Sequence, residues 1–207
     1  MTGPQKISKL SVEEYLSLEE TATVKHEYVN GRIFAMTGGT SAHNIISLNI
    51  ASTLRNLLKG SGCTVYINDM KVRANAANCF YYPDVMVVCR AINKSSVHTD
   101  TPTAIFEVLS KSTAAVDRRE KLVAYQMIPS LQSYVIVHQS RKRVEHYRRV
   151  DEDWTFEELT GDAELMLECN ANKKLSLTVS MDEIYADLEF DEGPDLKVRE
   201  DVEVYAW

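Results

Sequence analysis

Two short stretches place a single carboxylate inside an otherwise apolar run. YYPDVMVVC (81–89) sets Asp84 ahead of Val85, Met86, Val87, Val88 and Cys89, and TAIFEVLS (103–110) sets Glu107 between Phe106 and Val108. Both runs have the length and composition of buried strands. A carboxylate taken out of water is costly unless a cation, hydrogen bonds or a metal compensates it. Alternate strand residues share a face, so Glu107 shares one with Ile105 and Leu109. Two such carboxylates in neighbouring strands predict a cation shared between them. Taken singly, each also fits a hydrogen-bonded buried acid or an exposed strand-end residue.

A third charge is out of place. Over STAAVDRREKLVAYQMI (112–128), positions 114, 121 and 128 fall near one line of a helix, beside Ala124 and Tyr125, and that line contains Lys121. One reading lets Lys121 snorkel outward and pair with Asp117 at i,i+4, worth only about 0.3 kcal/mol. The other aims its ammonium at the strand carboxylates. Two carboxylates and a lysine are what metal-dependent phosphodiester hydrolysis needs. Mg²⁺ takes near-octahedral oxygen ligation through one or two carboxylates, leaving places for water and a phosphate oxygen. Such an ion acidifies its water and neutralises charge on the phosphoryl oxygens, while a lysine orients the water. The Val108 carbonyl, next to Glu107, is a candidate further ligand, and Mn²⁺ is the alternative ion.

These side chains need elements to hold them. SVEEYLSLEE (11–20) opens with Ser11 and Glu14 in a capping-box spacing, which predicts a short helix. HEYVNGRIFAM (26–36) has Asn30-Gly31 between two β-prone runs, a hairpin signal. Ile46, Ile50, Leu54 and Leu57 line one face of a helix over 41–62, with Gly60 as its stop. Strands are predicted at 63–73, 81–89 and 103–110, the second helix at 112–128, closed by Pro129, and further strands at 133–138 and 142–149. The connection 90–102 reads as a polar loop, and 151 onward as acidic, with a strand near 154–159 and a short helix near 181–188. A strand, helix and strand in succession favour parallel pairing with a right-handed crossover, hence an α/β fold with a mixed sheet and a helix on each face.

The order helix, three strands, helix, strand over residues 41–138 is that of the PD-(D/E)XK nuclease superfamily. The chain resembles its bacterial "putative restriction endonuclease" branch. The matching motifs are Pro83-Asp84-Val85, Glu107-Val108-Leu109-Ser110 with Ser112-Thr113, Asp117 through Lys121, and Tyr125, preceded by Glu27-Tyr28-Val29-Asn30-Gly31 and His43. The resemblance spans roughly residues 11–150. It implies a restriction endonuclease-like core with an N-terminal helix and hairpin and an acidic C-terminal β extension. It also implies Mg²⁺-dependent hydrolysis of DNA, by a homodimer. Asp84 and Glu107 would be ligands, Lys121 would assist the attacking water and Glu27 would support the metal. An exposed charge leading into the hairpin is the plainer account of Glu27. His43 would either reach the site or serve as a structural histidine. The chain departs from the pattern at Leu109, where the superfamily usually has its lysine; in this branch Lys121 comes from the helix instead. It departs again at Lys111, where the branch commonly has proline, and this either changes only the loop's stiffness or puts another cation near a phosphate. Asp69 fits a surface charge better than a ligand.

The net charge of −7 hides an asymmetry: residues 1–149 hold 19 Lys+Arg and 12 Asp+Glu, a net +7, whereas residues 150–207 hold 4 and 18, a net −14. Arg141, Lys142, Arg143, Arg148 and Arg149 are the densest basic region, suited to phosphate contacts or to protecting an exposed hairpin edge. With 207 residues, one nuclease-like domain over 1–188 (core about 41–138) and an acidic arm over 189–207, docked or partly disordered, are expected. No apolar run approaches roughly 18 residues, and the first ten residues lack a signal peptide's apolar stretch, so no membrane contact and a cytoplasmic location are expected. Cys63, Cys79, Cys89 and Cys169 have no metal-binding spacing and are expected to be free buried thiols. Two rival functions remain open. One is a catalytically silent binding module of the same fold, motivated by the acidic segment. The other is a metal enzyme acting on a small phosphate ester.

Overall fold

The computed structural model describes residues 9–110, 117–170 and 174–190. Helix α1 (Val12–Thr21) starts at the expected capping box: Glu14 N donates to Ser11 Oγ at 3.1 Å and Ser11 N to Glu14 Oε2 at 2.7 Å. Strands β1 (His26–Val29) and β2 (Arg32–Ala35) turn through Asn30 (φ 50°) and Gly31 (φ 88°), the left-handed pair that a tight hairpin requires. Helix α2 (Ser41–Leu57) is capped by Thr40, and the chain leaves it through Gly60 at φ 76°.

Two sheets follow rather than one. The six-stranded sheet runs β11-β10-β9-β8-β6-β3, and the five-stranded sheet runs β2-β1-β5-β4-β7. Their strands are β3 (Thr64–Ile67), β4 (Lys71–Ala74), β5 (Cys79–Tyr81), β6 (Val85–Val88), β7 (His98–Thr99), β8 (Ala104–Leu109), β9 (Ser133–His138), β10 (Arg143–Val150) and β11 (Asp153–Thr160). In the larger sheet β3, β6 and β8 pair antiparallel and β8 and β9 pair parallel across the helical crossover. The expected mixed α/β core is therefore present, with an excursion through β4, β5 and β7.

The excursion corrects three expectations. The run 63–73 is two strands in different sheets, because Asn68 (φ 46°) turns the chain between them. The run 81–89 is likewise split: β5 ends at Tyr81 and β6 begins at Val85. Pro83 has no N–H for a ladder, so the strand breaks there and Asp84 stands at the junction of the two sheets. Within the polar loop 90–102, His98 and Thr99 pair with Lys71 and Val72.

Faces alternate as strand geometry demands. Ala104, Phe106 and Val108 of β8 pack with Ile46, Ile50 and Leu54 of α2, whereas Ile105 and Leu109 pack with Ala124, Tyr125 and Ile128 on the opposite face. Of the expected helix 112–128, Asp117–Lys121 form a π-helical turn that continues into α3 (Leu122–Gln126); positions 112–116 lie outside the described residues. A hairpin not expected from the sequence, β12 (Glu164–Asn170) with β13 (Lys174–Ser180), adds Leu165, Leu167, Cys169, Leu177 and Val179 to the α2 side of the core. Helix α4 (Met181–Ile184) closes that side, and positions 191–207 of the arm lie outside the described residues.

The cysteine expectation holds for half the set. Cys79 and Cys169 are buried thiols, but Cys63 and Cys89 form a disulfide. They flank the paired residues Thr64 and Val88, so antiparallel register brings together residues 26 apart in sequence. No helix among the described residues is long and apolar enough to cross a membrane.

Candidate active site

The junction between the sheets gathers the charges singled out in the sequence. Asp84 Oδ2 accepts a 2.7 Å hydrogen bond from the Val108 amide, so the carboxylate at the head of β6 is tied to the backbone of β8 beside Glu107. His43, in the first turn of α2, brings Nε2 to 3.3 Å from the same oxygen. The hydrogen bond to Asp84 raises the His43 pKa above its ordinary value, against the opposing effect of burial.

On the other face of β8, Glu107 is only 4% exposed. Its Oε1 accepts from Tyr125 Oη at 2.9 Å and from Lys121 Nζ at 3.2 Å. Lys121, 5% exposed, does not snorkel outward. Its ammonium also lies 2.9 Å from Glu27 Oε1 and 3.2 Å from Asp117 Oδ1, and over the Tyr81 ring. Both sequence readings of Lys121 thus come together: the Asp117 pair forms, but it forms inside, among the strand carboxylates. The π-helical turn carries both residues of that pair, and Tyr134 Oη donates to the Asp117 carbonyl at 3.0 Å, fixing the turn to β9.

Burial and neighbouring charge act together on Glu107 and Lys121. Burial pushes the Glu107 carboxyl well above its usual value; Lys121 pulls it down, and Asp117, Asp84 and Glu27 push it further up. Burial works against the Lys121 ammonium, but Glu107, Glu27 and Asp117 more than reverse this and hold it charged. The two directions agree: one ammonium does not neutralise four carboxylates. Glu27 Oε1 and Asp117 Oδ1 are buried without a hydrogen bond, although each lies within ion-pair reach of Lys121. Buried carboxylate oxygens that share a single ammonium, in a cluster with excess negative charge, are the donor chemistry of a hard divalent cation. Among the described residues no three acidic, histidine or cysteine side chains converge on one metal point, so the oxygens are supplied without being gathered.

Asp117 belongs to this cluster, and its i,i+4 spacing from Lys121 was the signal for it. A second buried network lies beside the site and carried no sequence signal. Glu145 of β10 is 4% exposed; its carboxylate accepts from Arg118 Nε at 3.1 Å and Nη2 at 2.6 Å, and His138 Nε2 lies 2.9 Å from its Oε1. Burial works to raise the Glu145 pKa, but these bonds hold it below its usual value.

The basic residues scatter. Arg141 is exposed in the β9–β10 turn, at the end of the sheet where Leu109 pairs with His138. Lys142 pairs with Asp182 at 2.6 Å and Arg143 with Glu158. Arg148 is half-buried at the far end of β10, opposite Ser133. Arg149 is engaged inside the protein: its guanidinium donates to the carbonyls of Leu131, Gln126 and Ile128 and stacks 4.7 Å over Trp154. Lys111 lies outside the described residues. Asp69 is a surface charge paired with Lys25 in the β3–β4 turn.

The comparisons with known proteins agree with this architecture. A family model described as "Putative restriction endonuclease" (Uma2) matches residues 12–180. An uncharacterized protein of Synechocystis sp. is 35% identical over 184 residues, covering 88% of this chain and 94% of the relative. A second from the same organism is 34% identical over 157 residues, covering 74% and 89%. The crystal structure of a "putative nuclease belonging to DUF820" from Anabaena variabilis has the same fold, with a TM-score of 0.68 at 15% identity over 85% of this chain and 97% of that one.

Proposed function

Because the chain belongs to the Uma2 family, described as "Putative restriction endonuclease", we propose that it is a Mg²⁺-dependent endonuclease hydrolysing DNA phosphodiester bonds, with Mn²⁺ as the alternative ion. The observation that carries the proposal is the buried cluster of Glu107, Glu27 and Asp117 around Lys121, beside an Asp84 tied to the Val108 amide. Asp84, Glu107 and the Val108 carbonyl would hold the cation. Such a cation, when bound, acidifies a coordinated water and neutralises charge on the phosphoryl oxygens.

Lys121 stays an ammonium, so it acts by donating. It orients the attacking water and offsets charge growing on the phosphate, rather than accepting the water's proton. Glu27 and Asp117 hold that ammonium in place, and His43 steadies Asp84. The water oxygen bonds to phosphorus, losing a proton to solvent, as one bridging P–O bond breaks and its leaving oxygen takes up a proton from solvent. One product then ends in a phosphate and the other in a hydroxyl. Cutting both strands of a duplex favours a homodimer, which light scattering tests.

Incubation of supercoiled plasmid with Mg²⁺ tests the activity. Wild type is expected to nick and linearise it, EDTA to stop the reaction, and Asp84→Ala and Glu107→Gln to lower the rate by about 10²-fold or more with the fold retained. Cleavage by Asp84→Ala at the wild-type rate would remove the assigned site. DNA binding without cleavage by wild type would leave the silent binding module.

A further inference from the structure

The lip of the site carries a pair of side chains that the hydrolytic chemistry does not use. In the β1–β2 hairpin Glu27 pairs with Phe34 and Val29 pairs with Arg32. Directly opposed residues of antiparallel strands project to the same face, with Cβ atoms about 5 Å apart. Tyr28 and Ile33 take the other face, packing with Tyr15 and Phe80 under α1. Phe34 and Arg32 therefore stand on the face from which Glu27 reaches Lys121.

Neither residue is absorbed by the fold. Phe34 is 52% exposed and has no ring contact among the described residues. Arg32 is exposed, and its guanidinium has no ion pair or hydrogen bond among them. Strand β2 ends the five-stranded sheet, so no further strand among the described residues pairs with its outer edge. A single exposed apolar side chain is ordinary on a protein surface. An unpartnered aromatic two residues from an unpartnered arginine, on one strand face beside catalytic carboxylates, is a nucleic-acid-binding arrangement: the ring offers a stacking platform and the guanidinium a phosphate contact.

We propose that Phe34 stacks on an unpaired nucleobase next to the scissile phosphate while Arg32 holds the neighbouring phosphate, so that the enzyme prefers single-stranded or unpaired segments of its substrate. The preference follows from stacking itself. A base inside a duplex has both faces covered by its neighbours, whereas an unpaired base offers one to the ring. This inference rests on the nuclease reading and adds to it the form of the nucleic acid.

The test is the affinity of the full chain for a 2-aminopurine-labelled single strand and for its matched duplex, with EDTA present so that nothing is cut. Wild type is expected to bind the single strand more tightly and quench its fluorescence. Phe34→Ala should weaken single-strand binding about tenfold and lose the quenching, with duplex binding little changed, and Phe34→Trp should keep both. Arg32→Ala should weaken binding to either form and lower the salt slope by about one. Equal affinities of wild type and Phe34→Ala for the single strand, in a protein that still cleaves DNA, would overturn the inference and leave the nuclease reading standing. A wild type that neither binds nor cleaves any nucleic acid would overturn both.

Discussion

Glu107 and Glu145 are the same residue type with the same 4% exposure, yet their carboxyls are displaced in opposite directions. Glu145 has a forked guanidinium and an imidazole to itself. Glu107 shares one ammonium with Glu27 and Asp117. Equal surface exposure alone therefore says little about a buried acid: Glu107 lies deeper, and its burial outweighs the one ammonium it shares. The ratio of cation to carboxylate around it separates a finished structural network from a site short of positive charge.

The comparison is broken most severely by activity. Glu107→Gln is expected to remove cleavage by about 10²-fold or more, whereas Glu145→Gln, at matched folded fraction, should retain most of it; equal losses would erase the distinction. Metal binding comes next. Mn²⁺ at a hundred times its dissociation constant should stabilise wild type by about 2.7 kcal/mol in thermal unfolding, and should do nothing for the Asp84→Ala/Glu107→Ala double variant. Metal-free stability then reverses the ranking. Glu145→Gln should cost about 2 kcal/mol, because it loosens a charge-assisted bond to Arg118. Glu107→Gln should leave the melting temperature in EDTA unchanged or higher, since it lowers repulsion among the carboxylates. The smallest effect is on pH. Because Glu145 titrates lower in the folded than in the unfolded chain, its stabilisation is present above the unfolded carboxylate value, near 4.5, and is lost as pH falls through the folded value. Acid titrations of stability for wild type and Glu145→Gln should converge as pH drops below that range.

How much of this was legible depended on whether a charge broke a pattern. Asp84, Glu107 and Lys121 stand out because they interrupt apolar periodicities, and those periodicities give the order helix, three strands, helix, strand over residues 41–138. Glu145 is hidden because KRVEHYRR alternates as an exposed hairpin strand does, and His138 because it is a lone histidine ending the apolar run SYVIVH; only the tertiary structure reveals that the two meet on a covered face. Asp117 is visible as a partner of Lys121, but i,i+4 spacing does not say whether the pair points outward or into the core. The split of 63–73 was signalled by Asn68-Asp69, a turn-forming pair inside a β-prone run. The Cys63–Cys89 bond had no local signal, because strand register made it. The hairpin of β12 and β13 alternates well enough to be found, but its acidic surroundings masked it.

Asp84 sits where the two sheets meet, and the groups it joins come from residues 27, 43, 107, 117 and 121, spread across 95 residues of chain. No single hairpin or helix contains even half of the site. Contacts so distant in sequence form late, after the loops between them have closed. A chain part-way through synthesis, or one that has lost the docking of either sheet, holds these acids apart. Under the proposed nuclease activity, the capacity to cut would then appear only with the completed fold, and a nascent or damaged copy would be harmless to the nucleic acid around it.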